Sequence, residues 1–353
     1  MITRSLFLLS VVVSLSNLLV ASFLLSAEEP ANRHHRFCRT WKWPVAVAVD
    51  DEQSVEEDLL IQHRNLRFAG VGRLYTSSAD ASTLEDPHLQ VVERLSKATV
   101  LVVGLGGVGS WAAEAICRSG VGSLILIDLD DICISNTNRQ LHALSSTVGK
   151  MKIDEMRQRL NDINPQCEIQ LIHDFVSPDN IDEILLGLPN VTACLDAIDG
   201  TRGKASLIAA CSRYGIPIVT CGGSAGRTDP SKFVCEDLTK VQGDPLLSVC
   251  RKNLRKFHGF EEGKSFYDKS SKKPPRKWNI LAVYSTENQK SLPKGSDSAS
   301  LRRCDGALGT ACFVTGTSGF IAAGELISQI ANNKMLVPRR FAANTPRTST
   351  KHY

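Results

Sequence analysis

Residues 99–152 read TVLVVGLGGVGSWAAEAICRSGVGSLILIDLDDICISNTNRQLHALSSTVGKMK. The stretch opens on an apolar run at 100–103 suited to a buried strand. It then enters a turn carrying Gly104, Gly106, Gly107 and Gly109. A helix is predicted over 110–118, then Gly120 and Gly122, then a second apolar strand over 124–127 that closes on Asp128. Glycines let the backbone approach a phosphate, and a helix amino terminus offers unpaired N–H groups at the positive end of its dipole. An acidic residue closing the second strand is placed to hold ribose hydroxyls. The stretch therefore reads as an adenine-nucleotide site. Which nucleotide it takes depends on the residues after Asp128.

Working outward, a helix is expected over 151–163 with Met156 and Leu160 on one face, stopped by Asn164-Pro165. Strands are expected over 168–172, 191–195 and 216–220, with helices over 180–186 and 202–214 between them. This alternation specifies an open, mostly parallel, doubly wound α/β sheet with helices on both faces. Beyond Gly222 the pattern changes. A glycine-rich loop (223–230), a short strand (233–236), a helix (246–257), a strand (280–284) and a closing helix (317–330) are predicted. The polar runs 258–279 and 286–303 read as poorly ordered. Upstream, a helical pattern over 59–96 surrounds the run Arg67-Phe68-Ala69-Gly70-Val71-Gly72-Arg73-Leu74-Tyr75.

The 353 residues suffice for one large α/β domain with appendages, and a net charge of +4 is mild. Eleven cysteines form no CxxC pair, which argues against a disulfide framework or structural zinc. Residues 5–27 are uncharged and mostly Leu, Val, Phe and Ser, flanked by Arg4 and by Glu28 and Glu29. About 20 apolar residues span a bilayer as a helix. We read 1–27 as a hydrophobic helix serving as a membrane anchor. A cleaved targeting signal is the alternative, since Val20-Ala21-Ser22 offers small residues near a cut. The basic residues Arg33, His34, His35, Arg36 and Arg39 favour a cytosolic side for the rest of the chain. Residues 28–60 read as a tether, 61–335 as the catalytic domain, and 336–353 as a basic tail.

A lone GxGxxG followed by Asp128 also fits NAD, and a tethered NAD-dependent reductase is one reading. The loop after Asp128 weighs against it. Asp130, Asp131, Ser135, Asn136, Asn138 and Arg139 crowd it, and Lys152 lies just beyond. Hydride transfer has no need for an arginine and a lysine converging on phosphates. A triphosphate attacked at its α-phosphorus does.

The motifs GLGGVGS (104–110), LIDLDDICISNTNRQ (126–140), TVGKMK (147–152) and LDAID (195–199) resemble the E1-like adenylating enzymes, whose Rossmann-like adenylation domain the chain is expected to share. RFAGVGRLY (67–75), NTNRQLHAL (136–144), GGSAGRTDPSKF (222–233), Asp237-Leu238, Asp244-Pro245-Leu246 and VYSTE (283–287) are most similar to the tRNA threonylcarbamoyladenosine dehydratase branch. The resemblance covers about residues 60–330. It implies that Gly104, Gly106, Gly107 and Gly109 cradle ATP and that Asp128 binds its ribose. Asn136, Arg139 and Lys152 would hold the phosphates, and Asp199 would coordinate Mg²⁺. Arg73 matches an arginine that reaches into a partner subunit's site, which implies a homodimer. The resemblance also favours the mitochondrial outer membrane for the anchor. The alternative within the family is an activator of a ubiquitin-like or sulfur-carrier protein, but its usual CxxC pairs are missing here. Ile280-Leu281-Ala282-Val283 stands where some dehydratases carry a cysteine.

Other polar residues have plainer readings. Asp196 is either a cap for the next helix or a ligand. Asp130 and Asp131 read as turn residues, Arg67 as a surface charge, His142 as a core or supporting histidine, and Cys304 and Cys312 as structural. The expected chemistry needs no protein nucleophile. The threonylcarbamoyl carboxylate attacks the ATP α-phosphate, and the carbamoyl group then closes a ring and expels AMP, with net loss of water.

A tRNA substrate calls for local positive charge. Residues 251–277 hold ten Lys/Arg against three acids, an excess above that of the whole chain. Phe257, Phe260, Phe266, Tyr267 and Trp278 interleave with them, as stacking on anticodon-loop bases of an ANN-decoding tRNA would require. The plainer reading is a solvated lysine-rich insertion.

Overall fold

A computed structural model describes residues 52–76, 86–261, 276–290 and 308–341. The expected N-terminal hydrophobic helix, most of the tether, Phe266, Tyr267, Cys304 and the end of the basic tail lie outside the described residues. Among the described residues, no helix is long and apolar enough to cross a membrane.

The two apolar runs that flank the glycine turn form β1 (Thr99–Val103) and β2 (Ser123–Ile127), parallel in the register Val100↔Leu124 and Val102↔Leu126. Continuous apolar strands of this kind occur where a parallel sheet is covered on both faces. That is the case here. Val100, Val102, Leu124 and Leu126 enter one core cluster, and Leu101, Val103, Ile125 and Ile127 the other. The remaining strands are β3 (Glu168–Ile172), β4 (Ala193–Asp196), β5 (Ile218–Cys221), β6 (Phe233–Asp237) and β7 (Leu281–Ser285). Their order is β3-β2-β1-β4-β5-β7-β6, with β6 antiparallel to β7 and every other pairing parallel.

Upstream of β1 lie α1 (Glu52–Leu74) and α2 (Pro87–Ser96), and after it come α3 (Gly109–Arg118) and α4 (Lys152–Ile163). They are followed by α5 (Ile181–Leu186), α6 (Thr201–Tyr214), α7 (Pro245–His258) and α8 (Cys312–Ala331). Residues of α2, α3, α4 and α8 pack on one face of the sheet, and those of α5, α6 and α7 on the other. α7 shows why such segments become helices. Pro245 occupies its first turn, and Asp244 Oδ1 accepts a hydrogen bond from the Leu247 N–H at 2.8 Å. α1 starts at Glu52, so the expected tether boundary at residue 60 falls inside a helix whose 56–61 stretch is exposed. Its Phe68 is buried against Gly120, where an added Cβ would come within 2.7 Å of the ring.

Three expectations are corrected. β4 ends on Asp196, whose side chain is fully buried against Lys204 of α6; it does not cap α6, whose N-cap is Gly200, and it is sealed from any ligand. α8 begins five residues before the expected start; Gly316, a poor helix former by propensity, lies in the added turn, where the helix meets Trp111 of α3. A Cβ on Gly319 would lie 2.5 Å from the Val108 carbonyl, so close packing outweighs propensity. The flanks of the basic run are also ordered. Phe260 and Trp278 are buried, with ring centroids 4.9 Å apart, and Phe341 stacks on Phe260 at 4.2 Å. Neither Phe260 nor Trp278 is open to an RNA base.

Candidate active site

β1 lies between β2 and β4, and the chain reverses direction of progress across the sheet there. Ligands of doubly wound sheets bind at this point, outside the carboxyl ends of the strands. A cavity of about 770 Å³ occupies it, reaching from the glycine turn and Asp128 across Asp199 to the 221–225 loop beyond β5.

The four glycines divide their work. Gly104 has φ +88°, and a Cβ on Gly109 would stand 1.7 Å from the Gly104 carbonyl, so these two close the turn onto α3. A Cβ on Gly106 would meet nothing within 4 Å; that residue and Gly107 line the cavity, where backbone is open to a phosphate. Asp128 clamps the turn. Its Oδ2 accepts from the Leu105 N–H at 2.6 Å and its Oδ1 from the Asp130 N–H at 2.9 Å. Burial raises the Asp128 pKa, and these two N–H donors and Lys152 only partly oppose it. Each carboxylate oxygen keeps a further lone pair for a ligand hydroxyl.

Lys152, the first residue of α4, is buried at the cavity wall, and its Nζ lies 2.6 Å from Asp130 Oδ2. Asp130 is thus an ion-pair partner and not merely a turn residue. The crossover loop is tied at its base by Lys152 N–H to Asp130 O (3.1 Å), Ile132 N–H to Lys150 O (2.9 Å) and a bridge between Asp131 and Met151. Asn136 is buried, and its Oδ1 accepts from the Cys133 N–H at 3.0 Å, so it also shapes the loop whose wall it forms. Arg139 Nη1 donates to Ser135 O (2.8 Å) and Asn138 Oδ1 (3.0 Å), and the Arg139 carbonyl accepts from Trp111 Nε1 at 3.0 Å. His142 Nε2 donates to the Leu105 carbonyl at 2.8 Å. Burial lowers its pKa to about 4, so it supports the glycine turn as a neutral ring.

Gly104, Gly106, Gly107, Asp128, Asn136, Arg139, Lys152 and Asp199 all line this one cavity. Gly109 acts behind the wall. Arg73 is exposed in the last turn of α1 and does not line the cavity. Arg67 is exposed, as expected, and donates to the Ile163 carbonyl at 2.8 Å.

No role is expected of Lys204 from the sequence. Lys204 and Asp196 form a fully buried ion pair (2.7 Å), joined by the Thr220 hydroxyl, which donates to Asp196 Oδ2 at 2.6 Å. Burial alone would lower the Lys204 pKa, but the Asp196 charge and hydrogen bond outweigh it and hold the lysine charged. Asp196 Oδ1 accepts from the Ile198 N–H at 3.0 Å, which fixes the loop carrying Asp199. The signal available in the sequence is a lysine directly ahead of the largely apolar run 205–211, on the buried side of α6. Cys221 also lines the cavity, but burial pushes its thiol up to about 12, leaving it protonated and non-nucleophilic.

The ThiF family matches residues 79–352. The tRNA threonylcarbamoyladenosine dehydratase of Haemophilus influenzae is 41% identical over 277 residues, covering 78% of this chain and 97% of that protein. Its Escherichia coli counterpart is 38% identical over 273 residues, covering 75% and 93%. The crystal structure of the E. coli enzyme in complex with ATP superimposes with a TM-score of 0.63 at 36% identity, covering 76% of this chain and 95% of that one. Family match, identity and shared architecture agree: this chain belongs to the ThiF family, in its tRNA threonylcarbamoyladenosine dehydratase branch.

Proposed function

We propose that the chain dehydrates N6-threonylcarbamoyladenosine at position 37 of tRNA, using ATP. The observation that carries this reading is the convergence of Arg139 and Lys152 on the cavity that the glycine turn and Asp199 also line. The threonyl carboxylate attacks the α-phosphorus, pyrophosphate leaves, and the acyl-adenylate closes on its own carbamoyl group with release of AMP. Lys152 leaves Asp130 for the phosphates as charge develops on them, and Arg139 stabilises the same charge. Asp128 orients the ribose. The Cys221 thiol stays protonated, consistent with direct cyclisation without a thioester.

Mg²⁺ suits the donor set. Magnesium is commonly held by one or two carboxylates plus substrate phosphates and water. Asp199 is exposed at the cavity and makes no hydrogen bond or ion pair with a described residue. Among the described residues, no cluster of three or more His, Cys, Asp or Glu could hold a metal alone. When bound, the ion would neutralise phosphate charge and assist pyrophosphate departure. Asp199 would be its protein ligand.

The full chain, incubated with ATP, Mg²⁺ and threonylcarbamoyl-modified tRNA, should yield a nucleoside lighter by one water. Unchanged nucleoside mass would contradict the reading. Arg73 supports a homodimer, since it is exposed and lies away from its own cavity. Mixing inactive Arg73→Ala and Lys152→Met variants should restore partial activity; no recovery would remove the subunit exchange. The uncharged run 5–27 supports a membrane anchor, with the mitochondrial outer membrane as its site and the catalytic domain in the cytosol. Fractionation of cells expressing the tagged full chain tests that placement.

A further inference from the structure

α7 starts at the cavity and ends on a cluster of cations. Leu246 in its first turn lines the cavity, and its 14 residues carry the chain ~21 Å away. Lys252 and Lys256 are exposed along it, and the Arg255 guanidinium lies 5.5 Å from the Trp278 ring centroid. Arg276 and Lys277, both exposed, immediately precede that tryptophan. The chain then returns from a distant part of the sequence. The Arg339 N–H donates to the Trp278 carbonyl at 3.0 Å, Asn279 Nδ2 donates to the Val337 carbonyl at 3.3 Å, and the Ser212 hydroxyl donates to the Arg339 carbonyl. Phe341, stacked on Phe260, pins this 337–341 strap and leaves Arg340 exposed. Among the described residues, the ion pair within this cluster is Arg339 with Glu261 at 3.7 Å. Lys252, Lys256, Arg276, Lys277 and Arg340 have none with a described residue.

We propose that this ridge, built from α7, the 276–277 pair and the 337–341 strap, docks the phosphate backbone of the tRNA away from its reacting base. The proposal rests on the tRNA reading above and names the surface that reading leaves open. Arrayed, unpaired cations are the means by which proteins hold nucleic-acid backbones. Trp278 and Phe260 are buried and, with Phe341, hold the charges in place. Phe257 stays exposed beside Lys256, its ring centroid 4.9 Å from the Lys256 Nζ, where an unpaired base can stack on it.

The test uses the full chain and the variant Arg276→Gln/Lys277→Gln/Arg340→Gln. Binding of modified tRNA should weaken about tenfold or more at physiological salt, and the slope of log affinity against log salt should become shallower by about 2–3. ATP affinity should not move. Phe341→Ala keeps every charge but unpins the strap, so it should weaken tRNA binding several-fold, again with ATP affinity unchanged. Unmoved tRNA affinity and salt slope in the triple variant would overturn the proposal. So would loss of binding to phosphatidylserine vesicles with tRNA binding intact, which would make the ridge a lipid surface. Both results would leave the dehydratase reading standing if the wild-type chain removes water from the nucleoside. A wild-type chain that neither binds nor dehydrates the tRNA would overturn both.

Discussion

Lys152 of α4 and Lys204 of α6 each pair with an aspartate at or just beyond the end of a strand that flanks β1, at nearly the same distance, 2.6 and 2.7 Å. Their surroundings differ. The Lys152 pair has side chains 7% and 52% exposed, whereas both members of the Lys204 pair are 0% exposed. A lysine whose partner is half in water can exchange it for a phosphate oxygen at small cost. A lysine sealed with its partner cannot, so its charge serves the fold, fixing the strand end and the loop that carries Asp199. The same pair of residue types is therefore a ligand-exchangeable clamp on one side of β1 and a structural bolt on the other.

This contrast can be broken by mutation. Lys204→Met leaves Asp196 as an uncompensated buried charge and should cost about 3–5 kcal/mol of stability, measured by denaturant unfolding. Lys152→Met should change stability by about 1 kcal/mol or less. It should instead lower turnover about 10²–10³-fold with tRNA and ATP saturating. A stability loss at Lys152 equal to that at Lys204 would erase the distinction. So would wild-type turnover in Lys152→Met.

The histidine beside the glycine turn sharpens the comparison through pH. The folded pKa of His142 is about 4, below its ordinary 6.5, so between those values the unfolded chain binds more protons than the folded one. Stability from this group is complete above pH 6.5 and is lost as the pH falls toward 4, by about 3 kcal/mol in all. His142→Gln should flatten unfolding stability across that window; an unchanged slope would place the acid sensitivity elsewhere. The smallest effect belongs to Asp130→Asn, which removes the exposed half of the Lys152 pair. Stability should shift by less than about 1 kcal/mol, and the change should fall mainly on the KM for ATP.

How legible each region is depends on how local its causes are. Residues 99–152 carry strand, turn and helix signals in unbroken order, and eight of the ten residues expected at the site line one cavity. Lys204 escaped notice because its partner is brought to it by the sheet; nothing nearby in sequence marks an aspartate at a strand end as buried. Asp130 looked like a turn residue because Lys152 reaches it only once the crossover loop is tied at its base. Phe260 and Trp278 looked like base-stacking groups because Phe341, their partner, lies more than sixty residues further on. The first turn of α8 is not legible because the surface of α3 that accommodates its glycines is remote in sequence.

The central claim is that this cavity joins a carboxylate to the α-phosphate of ATP. The direct measurement uses tRNA whose threonylcarbamoyl carboxylate carries ¹⁸O, with mass analysis of the released nucleotide. Attack at the α-phosphorus and subsequent ring closure leave one ¹⁸O in AMP, with unlabelled pyrophosphate. Release of ADP with ¹⁸O in inorganic phosphate would place the attack at the γ-phosphorus and contradict the account.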